Sequence, residues 1–165
     1  MFLFFVAGLI LTSFSCSKFR RLEKSPDWRV KYNAALEYYN EKEYYKASIL
    51  LEQIKPIIRG LPESEKADFH MAYCEYYQKN FLLAAEYFRN FYEVFGRSTY
   101  AEEARFMHAF SLFQSTPNFN LDQTESINAM AAMQEFLNRF PNSKNREKAV
   151  EIITSIQQKL ERKGF

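Results

Sequence analysis

The sequence predicts an all-α fold, a TPR-like α-α superhelical solenoid of about three helical hairpins plus one additional helix. Three observations predict it: small residues that recur with a fixed period, apolar residues at helical spacing, and helix-start residues between the apolar runs. The chain has 165 residues, 47% hydrophobic and 18% aromatic, which is sufficient for a core. Its sequence lacks the strand signals that would favour a sheet.

Pairs of small residues recur along the chain. The distance from Ala35 to Ala72 is 37 residues, and the distance from Ala72 to Ala109 is again 37. Two helices of a hairpin approach closely where they cross, so a large side chain there would push them apart. The positions assigned to these crossings are Ala35 with Ala47, Ala72 with Ala84, and Ala109 with Ala129. This pattern is typical of tetratricopeptide (TPR) repeats, and Pro141 stands where such a repeat ends.

The third repeat is longer than the first two. Its small residues are 20 positions apart, whereas those of the earlier pairs are 12 apart. The surplus falls where residues 115–120 supply turn-forming side chains. The sequence therefore predicts an extended loop between the two helices of this repeat.

Apolar residues follow the spacing of one helix face. Phe69, Ala72, Tyr73, Tyr76 and Tyr77 occupy positions i, i+3, i+4, i+7 and i+8. The predicted helices lie near residues 26–40, 44–58, 64–79, 81–95, 99–114, 123–140 and 144–162.

Residues that favour helix starts precede these segments. Serine and aspartate cap helices because their side-chain oxygens accept hydrogen bonds from the first free backbone N–H groups. The predicted start residues are Ser25 followed by Pro26, then Ser64, Ser98, Asp122 in a capping box with Glu125, and Ser143.

The first residues resemble a lipoprotein signal peptide. Residues 1–14 are apolar apart from Thr12 and Ser13, which is too short a stretch to span a membrane. The segment ends at Cys16 in a sequence that resembles a bacterial lipobox, so we expect a covalent lipid on Cys16; an ordinary secretory cysteine is the alternative. The expected organisation is a signal peptide at 1–15, a lipidated tether at 16–25 and a TPR domain at 26–165. The repeats are placed at about 26–60, 64–97 and 99–142, with a partial fourth at 143–165.

One basic cluster follows Cys16. It consists of Lys18, Arg20, Arg21 and Lys24, in a chain whose formal net charge is only +2. Two interpretations stay open for it, a solvated tether and attraction to anionic lipid headgroups. No sustained cationic stripe follows along the helices, which argues against a nucleic-acid partner.

Catalytic and metal-binding motifs are missing from the sequence. His70 and His108 each lack a second ligand at metal-binding spacing, and a chain with four glycines has no Gly-rich phosphate loop. We expect both histidines to be packing or surface residues and Cys74 to be a small buried apolar residue. The sequence thus indicates a protein that is not an enzyme and has no cofactor beyond the lipid on Cys16.

Aromatic residues fall on the first helix of each hairpin, which lines the concave surface of TPR arrays. Such residues with cations beside them suit an extended peptide that carries apolar side chains and a terminal carboxylate. Core packing is the alternative, and it is favoured for Phe110 and Phe113. The predicted groove residues are Arg29, Tyr32, Tyr39, Lys66, Phe69, Tyr73, Tyr76 and Phe106.

Several segments of the sequence together resemble one protein family. They are residues 14–19, residues 37–39 with 44–47, residues 72–77, residues 84–88, and above all Ser111 to Phe113 followed by residues 115–117 and 121–124. Over nearly its whole length the chain resembles the BamD family, the TPR lipoproteins of the β-barrel assembly (BAM) machinery, in a Bacteroidetes-like form. The resemblance implies a lipid-anchored protein on the periplasmic face of the outer membrane. Its implied partners are BamA, other BAM subunits and the aromatic-ending C-terminal strand of unfolded outer-membrane β-barrel proteins.

The resemblance also sets an expectation for the last helix. Family members have about five hairpins, and this chain ends in the first helix of a fourth. We therefore expect either a fragment or a last helix that docks on another chain, because its apolar face lacks a partner hairpin. That face is formed by Ala149, Ile152, Ile153, Ile156 and Leu160. Another envelope TPR scaffold, or a SusD-like glycan-binding lipoprotein, is the alternative function.

Overall fold

The computed structural model describes residues 18–116 and 123–163, and within these ranges every regular element is an α-helix. The all-α prediction is confirmed, and the seven predicted helices begin and end within two residues of the observed ones. The helices are α1 at residues 18–23, α2 Trp28–Asn40, α3 Tyr44–Ile58, α4 Pro62–Tyr77, α5 Phe81–Val94, α6 Ala101–Gln114, α7 Thr124–Arg139 and α8 Arg146–Lys163.

The described residues form two compact units, and the boundary between Met71 and Ala72 falls inside α4. In the first unit α2 packs on α3, and Ala35 and Ala47 are completely buried in the core of that unit. The Lys31 ammonium donates a 2.6 Å hydrogen bond to the Gln53 side-chain oxygen, which ties α2 to α3.

In the second unit α6 packs on both α5 and α7, and α7 packs on α8. The small residues at the assigned crossings, Ala72, Ala84, Ala109 and Ala129, are all completely buried. Large buried aromatic rings fill the remaining core volume and include Phe88, Phe91 and Phe136. Cys74 is also buried, and loss of solvent raises the pKa of its thiol to about 12.

Several of the predicted helix caps are wrong. Asp27, not Ser25, caps α2 by accepting a 2.8 Å hydrogen bond from the Arg29 backbone N–H. Ser64 lies inside α4, where its hydroxyl donates to the Leu61 carbonyl oxygen. A serine hydroxyl can bond to several nearby backbone groups, so it marks a helix start only to within a few residues.

Ser98 and Ser143 are also displaced from the cap position. Ser98 accepts a hydrogen bond from the Tyr100 N–H, and it is Tyr100 that precedes α6. Ser143 accepts from the Asn145 N–H and donates a 2.6 Å hydrogen bond to the Glu102 carboxylate. Asp122, together with the rest of the 117–122 segment, lies outside the described residues, as do the predicted signal peptide and Cys16.

The expectation of an uncovered apolar face on the last helix is wrong. Ala149, Ile152 and Ile156 are buried, because α8 packs back on α7 of the same unit. Ile153 and Leu160 are half-buried. Among the described residues, no helix is both long and apolar enough to cross a bilayer.

Candidate peptide-binding site

The first unit carries an aromatic cluster at the end of α2. The centroid of the half-buried Tyr39 ring lies 5.6 Å from that of Tyr44 and 4.4 Å from that of His70, both edge-on. Edge-on packing of this kind holds a ring in one orientation. The Tyr39 ring is therefore held in one orientation by its neighbours and remains partly accessible to a ligand.

His70 is a neutral member of this cluster. Its Nδ1 lies 2.8 Å from the Lys66 carbonyl oxygen, which can only accept, so Nδ1 carries the proton and donates. Burial lowers the pKa of His70, and the nearby Lys66 ammonium lowers it further.

The other groove residues predicted in the first unit have different surroundings. Arg29 and Lys66 are exposed, and the Arg29 guanidinium lies 4.4 Å from the centroid of the Trp28 ring. Tyr32 is half-buried, whereas Phe69 is only 6% exposed. Phe69 is therefore a core residue of this unit.

The second unit carries a longer run of rings. Tyr76 is half-buried, and its ring centroid lies 5.5 Å from Phe81 and 6.1 Å from Phe110. Phe110 in turn stacks on Phe113 at 6.3 Å. Tyr76, Phe110 and Phe113 form what we call the aromatic strip, and all three rings are partly accessible.

Hydrogen bonds hold the tyrosines near this strip. The Tyr73 hydroxyl donates to the Glu103 carboxylate, and its ring packs edge-on against Phe88 at 5.0 Å. Burial raises the pKa of Tyr76, and the Gln114 side chain is its hydrogen-bond partner. The Tyr76 phenol thus stays protonated at neutral pH.

Two lysines of α8 lie over the strip. The Lys148 Nζ is 5.8 Å from the Phe110 ring centroid, and the Lys159 Nζ is 5.2 Å from that of Phe113. Counting from Ala35, Ala72 and Ala109 could not find these cations, because they belong to the helix after the third hairpin. The strip combines apolar ring faces with positive charge.

The assignment of α6 aromatics to groove and core is partly reversed. Phe106, predicted for the groove, is 7% exposed, because its ring packs against Phe136 at 5.4 Å and stacks on Phe110 at 5.7 Å. Phe110 and Phe113, assigned to the core, are half-buried instead. Helix α7 covers the Phe106 ring and leaves the rings of Phe110 and Phe113 partly accessible.

One comparison with known proteins decides the family. The YfiO family model, described as outer membrane lipoprotein, matches residues 26–165. The chain belongs to the YfiO family. No curated protein matches it. The YfiO match supports the resemblance to BamD-like proteins, and it includes every helix of the aromatic clusters described above.

The YfiO match begins ten residues after Cys16, so the basic cluster at residues 18–24 precedes it.

In the described ranges no group of His, Cys, Asp and Glu side chains could hold a metal ion. This member of the YfiO family thus presents aromatic rings and cations, a combination suited to binding.

A cleft lies in the second unit, between α5, α6 and α7. It has a volume of about 460 Å³ and is lined by Leu82, Ala85, Arg89, His108, Ala131 and neighbouring residues. His108 Nδ1 donates to the Ala85 carbonyl oxygen over 2.9 Å, and burial lowers the pKa of this imidazole. Glu86 pairs with Arg89 at 2.7 Å, and Glu135 adds a second carboxylate to the lining of this cleft.

Proposed function

We propose that this YfiO-family protein is a non-catalytic scaffold of the BAM complex, anchored to the periplasmic face of the outer membrane by a lipid on Cys16. It binds BamA and other BAM subunits, and it captures the C-terminal targeting strand of unfolded outer-membrane β-barrel proteins. Membership in an outer membrane lipoprotein family supports this assignment. The observation that carries the binding role is the aromatic strip beneath Lys148 and Lys159.

The strip suits a peptide that ends in an aromatic residue. The terminal ring packs on Phe110 or Phe113, because offset ring pairs gain about 0.5–1.5 kcal/mol beyond the area they bury. The terminal carboxylate of the same residue pairs with the Lys148 or Lys159 ammonium. A C-terminal aromatic residue presents both groups together, whereas an internal one lacks the charge.

The aromatic cluster of the first unit supplies a second contact surface. Tyr39 offers a partly accessible ring beside a neutral imidazole, so it favours apolar side chains over charged ones. An extended strand directs alternate side chains to one side, which suits separate ring contacts. We therefore assign Tyr39 as the principal tyrosine contact of the first unit and Tyr76 as that of the second unit, each considered separately.

A binding titration tests this function. Fluorescence anisotropy with a labelled peptide ending in Phe is expected to show binding to the full chain. Tyr39→Ala and Tyr76→Ala should each weaken it about 3- to 10-fold, as expected for loss of an aromatic pair. Tyr45→Ala is the matched control, because Tyr45 is 66% exposed on α3 and is expected to leave affinity unchanged.

Unchanged affinity in both tyrosine variants would remove the peptide-binding assignment. Displacement of the peptide by oligosaccharide would instead favour a glycan-binding lipoprotein, since sugars also stack on aromatic faces. Co-purification through detergent-solubilised outer membrane is expected to recover BamA with the lipidated protein.

A further inference from the structure

The basic cluster that follows Cys16 is folded. Residues 18–23 form α1, with Lys18, Arg20 and Arg21 exposed and Phe19 and Leu22 half-buried. Lys24, just after the helix, is exposed as well. The segment 18–24, called here the basic segment, thus exposes its four cations and turns its apolar side chains inward, while its one carboxylate, Glu23, is half-buried.

The inward face rests on α2. The Phe19 ring packs edge-on against Tyr38 with centroids 5.7 Å apart, and Tyr38 is a buried residue of the first unit. The Lys46 ammonium lies 5.4 Å from the centroid of the same tyrosine ring. Phe19 therefore docks on a ring that is already held in place.

The other end of the basic segment is also tied to α2. The Ser25 N–H donates to the Leu22 carbonyl oxygen over 3.0 Å, and Ser25 Oγ accepts from the Asp27 N–H. Asp27 in turn caps α2. The segment is thus connected to the α2–α3 hairpin by a short hydrogen-bonded turn.

Covalent geometry limits the distance between this segment and the anchor. Cys16 precedes Phe19 by three residues, and three residues span at most about 11 Å even when fully extended. Electrostatic attraction in roughly 0.1 M salt acts over a Debye length of about 10 Å. Lys18 follows Cys16 by two residues, which span at most about 7 Å, so a lipid on Cys16 would hold the start of the basic segment within electrostatic reach of the headgroups.

The four cationic side chains have no ion-pair partner among residues 18–116 and 123–163. We propose that the basic segment binds anionic lipid headgroups and lays the α2–α3 hairpin against the membrane surface. The inference rests on the proposed lipid anchor at Cys16. It goes further in assigning a second, electrostatic contact that orients the first unit.

Amide hydrogen exchange of residues 18–29 tests this contact. The full chain, purified from bacterial membranes, is placed in vesicles of phosphatidylcholine alone and in vesicles that also contain phosphatidylglycerol. Exchange is expected to be several-fold slower on the anionic vesicles. High salt, or the double substitution Arg20→Gln with Arg21→Gln, should restore the rate seen on neutral vesicles. Equal rates on both vesicles in the parent protein would overturn the proposal.

A matched control separates local from general charge effects. Lys144→Gln with Arg162→Gln removes two exposed cations of the second unit and should leave the protection unchanged. Equal loss of protection in both double variants would point to net charge and contradict a specific contact.

Retention on neutral vesicles reports on the anchor separately. Release from them would refute the lipid on Cys16, and co-sedimentation with anionic vesicles then tests the basic segment directly. Removing a cation near a charged surface lowers affinity roughly fivefold, so the Arg20 and Arg21 double variant should bind about 25-fold more weakly. No binding to anionic vesicles, or an unchanged affinity of that variant, would overturn the headgroup contact.

Discussion

The Lys159 ammonium lies over the Phe113 ring, with Nζ 5.2 Å from the ring centroid. The Lys148 Nζ lies 5.8 Å from the centroid of the Phe110 ring, and this pair also joins α8 to α6. Each lysine thus places positive charge beside an aromatic face that is partly accessible. A ligand that carries an aromatic ring and a carboxylate on one residue can use both.

The first prediction concerns that carboxylate. Lys148→Ala and Lys159→Ala should each weaken binding of a peptide ending in Phe by up to about 5-fold, since exposed charge pairs contribute about 0.2–1 kcal/mol. The same peptide with an amidated C-terminus should be insensitive to both substitutions. Anisotropy titrations of the two peptides measure the difference, with Lys144→Ala as the control. An equal loss for the free and the amidated peptide would exclude carboxylate recognition.

A second prediction uses two buried serines of the second unit. In the described part of the chain, Ser111 Oγ is the one buried side-chain polar atom without a hydrogen-bond partner. Ser126 is equally buried, but its hydroxyl donates a 2.8 Å hydrogen bond to Gln123 Oε1. Removing an unsatisfied hydroxyl relieves a desolvation cost, so Ser111→Ala should raise the free energy of unfolding by about 1 kcal/mol. Ser126→Ala should lower it by about 1–3 kcal/mol.

Urea denaturation of the two serine variants checks the sign of each change. A loss of stability in Ser111→Ala comparable to that in Ser126→Ala would show that the Ser111 hydroxyl has a partner.

The third prediction is a dependence of stability on pH. Burial lowers the pKa values of His70 and His108 below the unfolded value of 6.5, so the unfolded chain binds more protons between the lowered values and 6.5. The histidine contribution to stability is therefore complete above pH 6.5 and decreases as the pH falls toward the lowered values. At His70 the hydrogen bond to the Lys66 carbonyl opposes the lowering of the pKa, and the Lys66 ammonium adds a smaller lowering. At His108 the hydrogen bond to the Ala85 carbonyl is the largest opposing effect on the pKa.

Urea denaturation at a series of pH values measures this dependence. Substituting both histidines with Gln should reduce the slope of unfolding free energy against pH below pH 6.5. The same slope in the parent and the double variant would assign the acid sensitivity to other groups.

A fourth prediction tests the close helix crossings. Ala109 is completely buried in α6, so Ala109→Leu must displace packed neighbours and should destabilise the protein by about 1–3 kcal/mol. Ala131→Leu is the matched control, because Ala131 is exposed on α7 and should change stability by less than about 0.5 kcal/mol. Similar effects of the two substitutions would show that the crossing at Ala109 is not tight.

The helices could be predicted from the sequence because their signal is local and repeated. Apolar residues at helical spacing and alanines at a 37-residue period specify which segments are helical and which face is covered. The helix caps were less well determined, since Ser64 and Ser98 bond to nearby backbone groups without standing at the cap position.

The candidate site depended on tertiary contacts that the sequence does not encode locally. Phe106 and Phe110 are one turn apart on α6, yet only Phe106 is covered by the Phe136 ring of α7. Lys148 and Lys159 contribute positive charge to the aromatic strip because α8 packs on α7. The sequence had indicated that this helix was uncovered. Which of two neighbouring rings is accessible follows from packing rather than from spacing.

Site-specific photo-crosslinking in cells tests the proposed function most directly. A benzophenone side chain at position 76 is compared with one at position 45, since Tyr76 belongs to the aromatic strip and Tyr45 is exposed on α3. The proposed function predicts crosslinks from position 76 to unfolded outer-membrane β-barrel proteins, with far fewer from position 45. Absence of such crosslinks at position 76, or equal yields at the two positions, would contradict it.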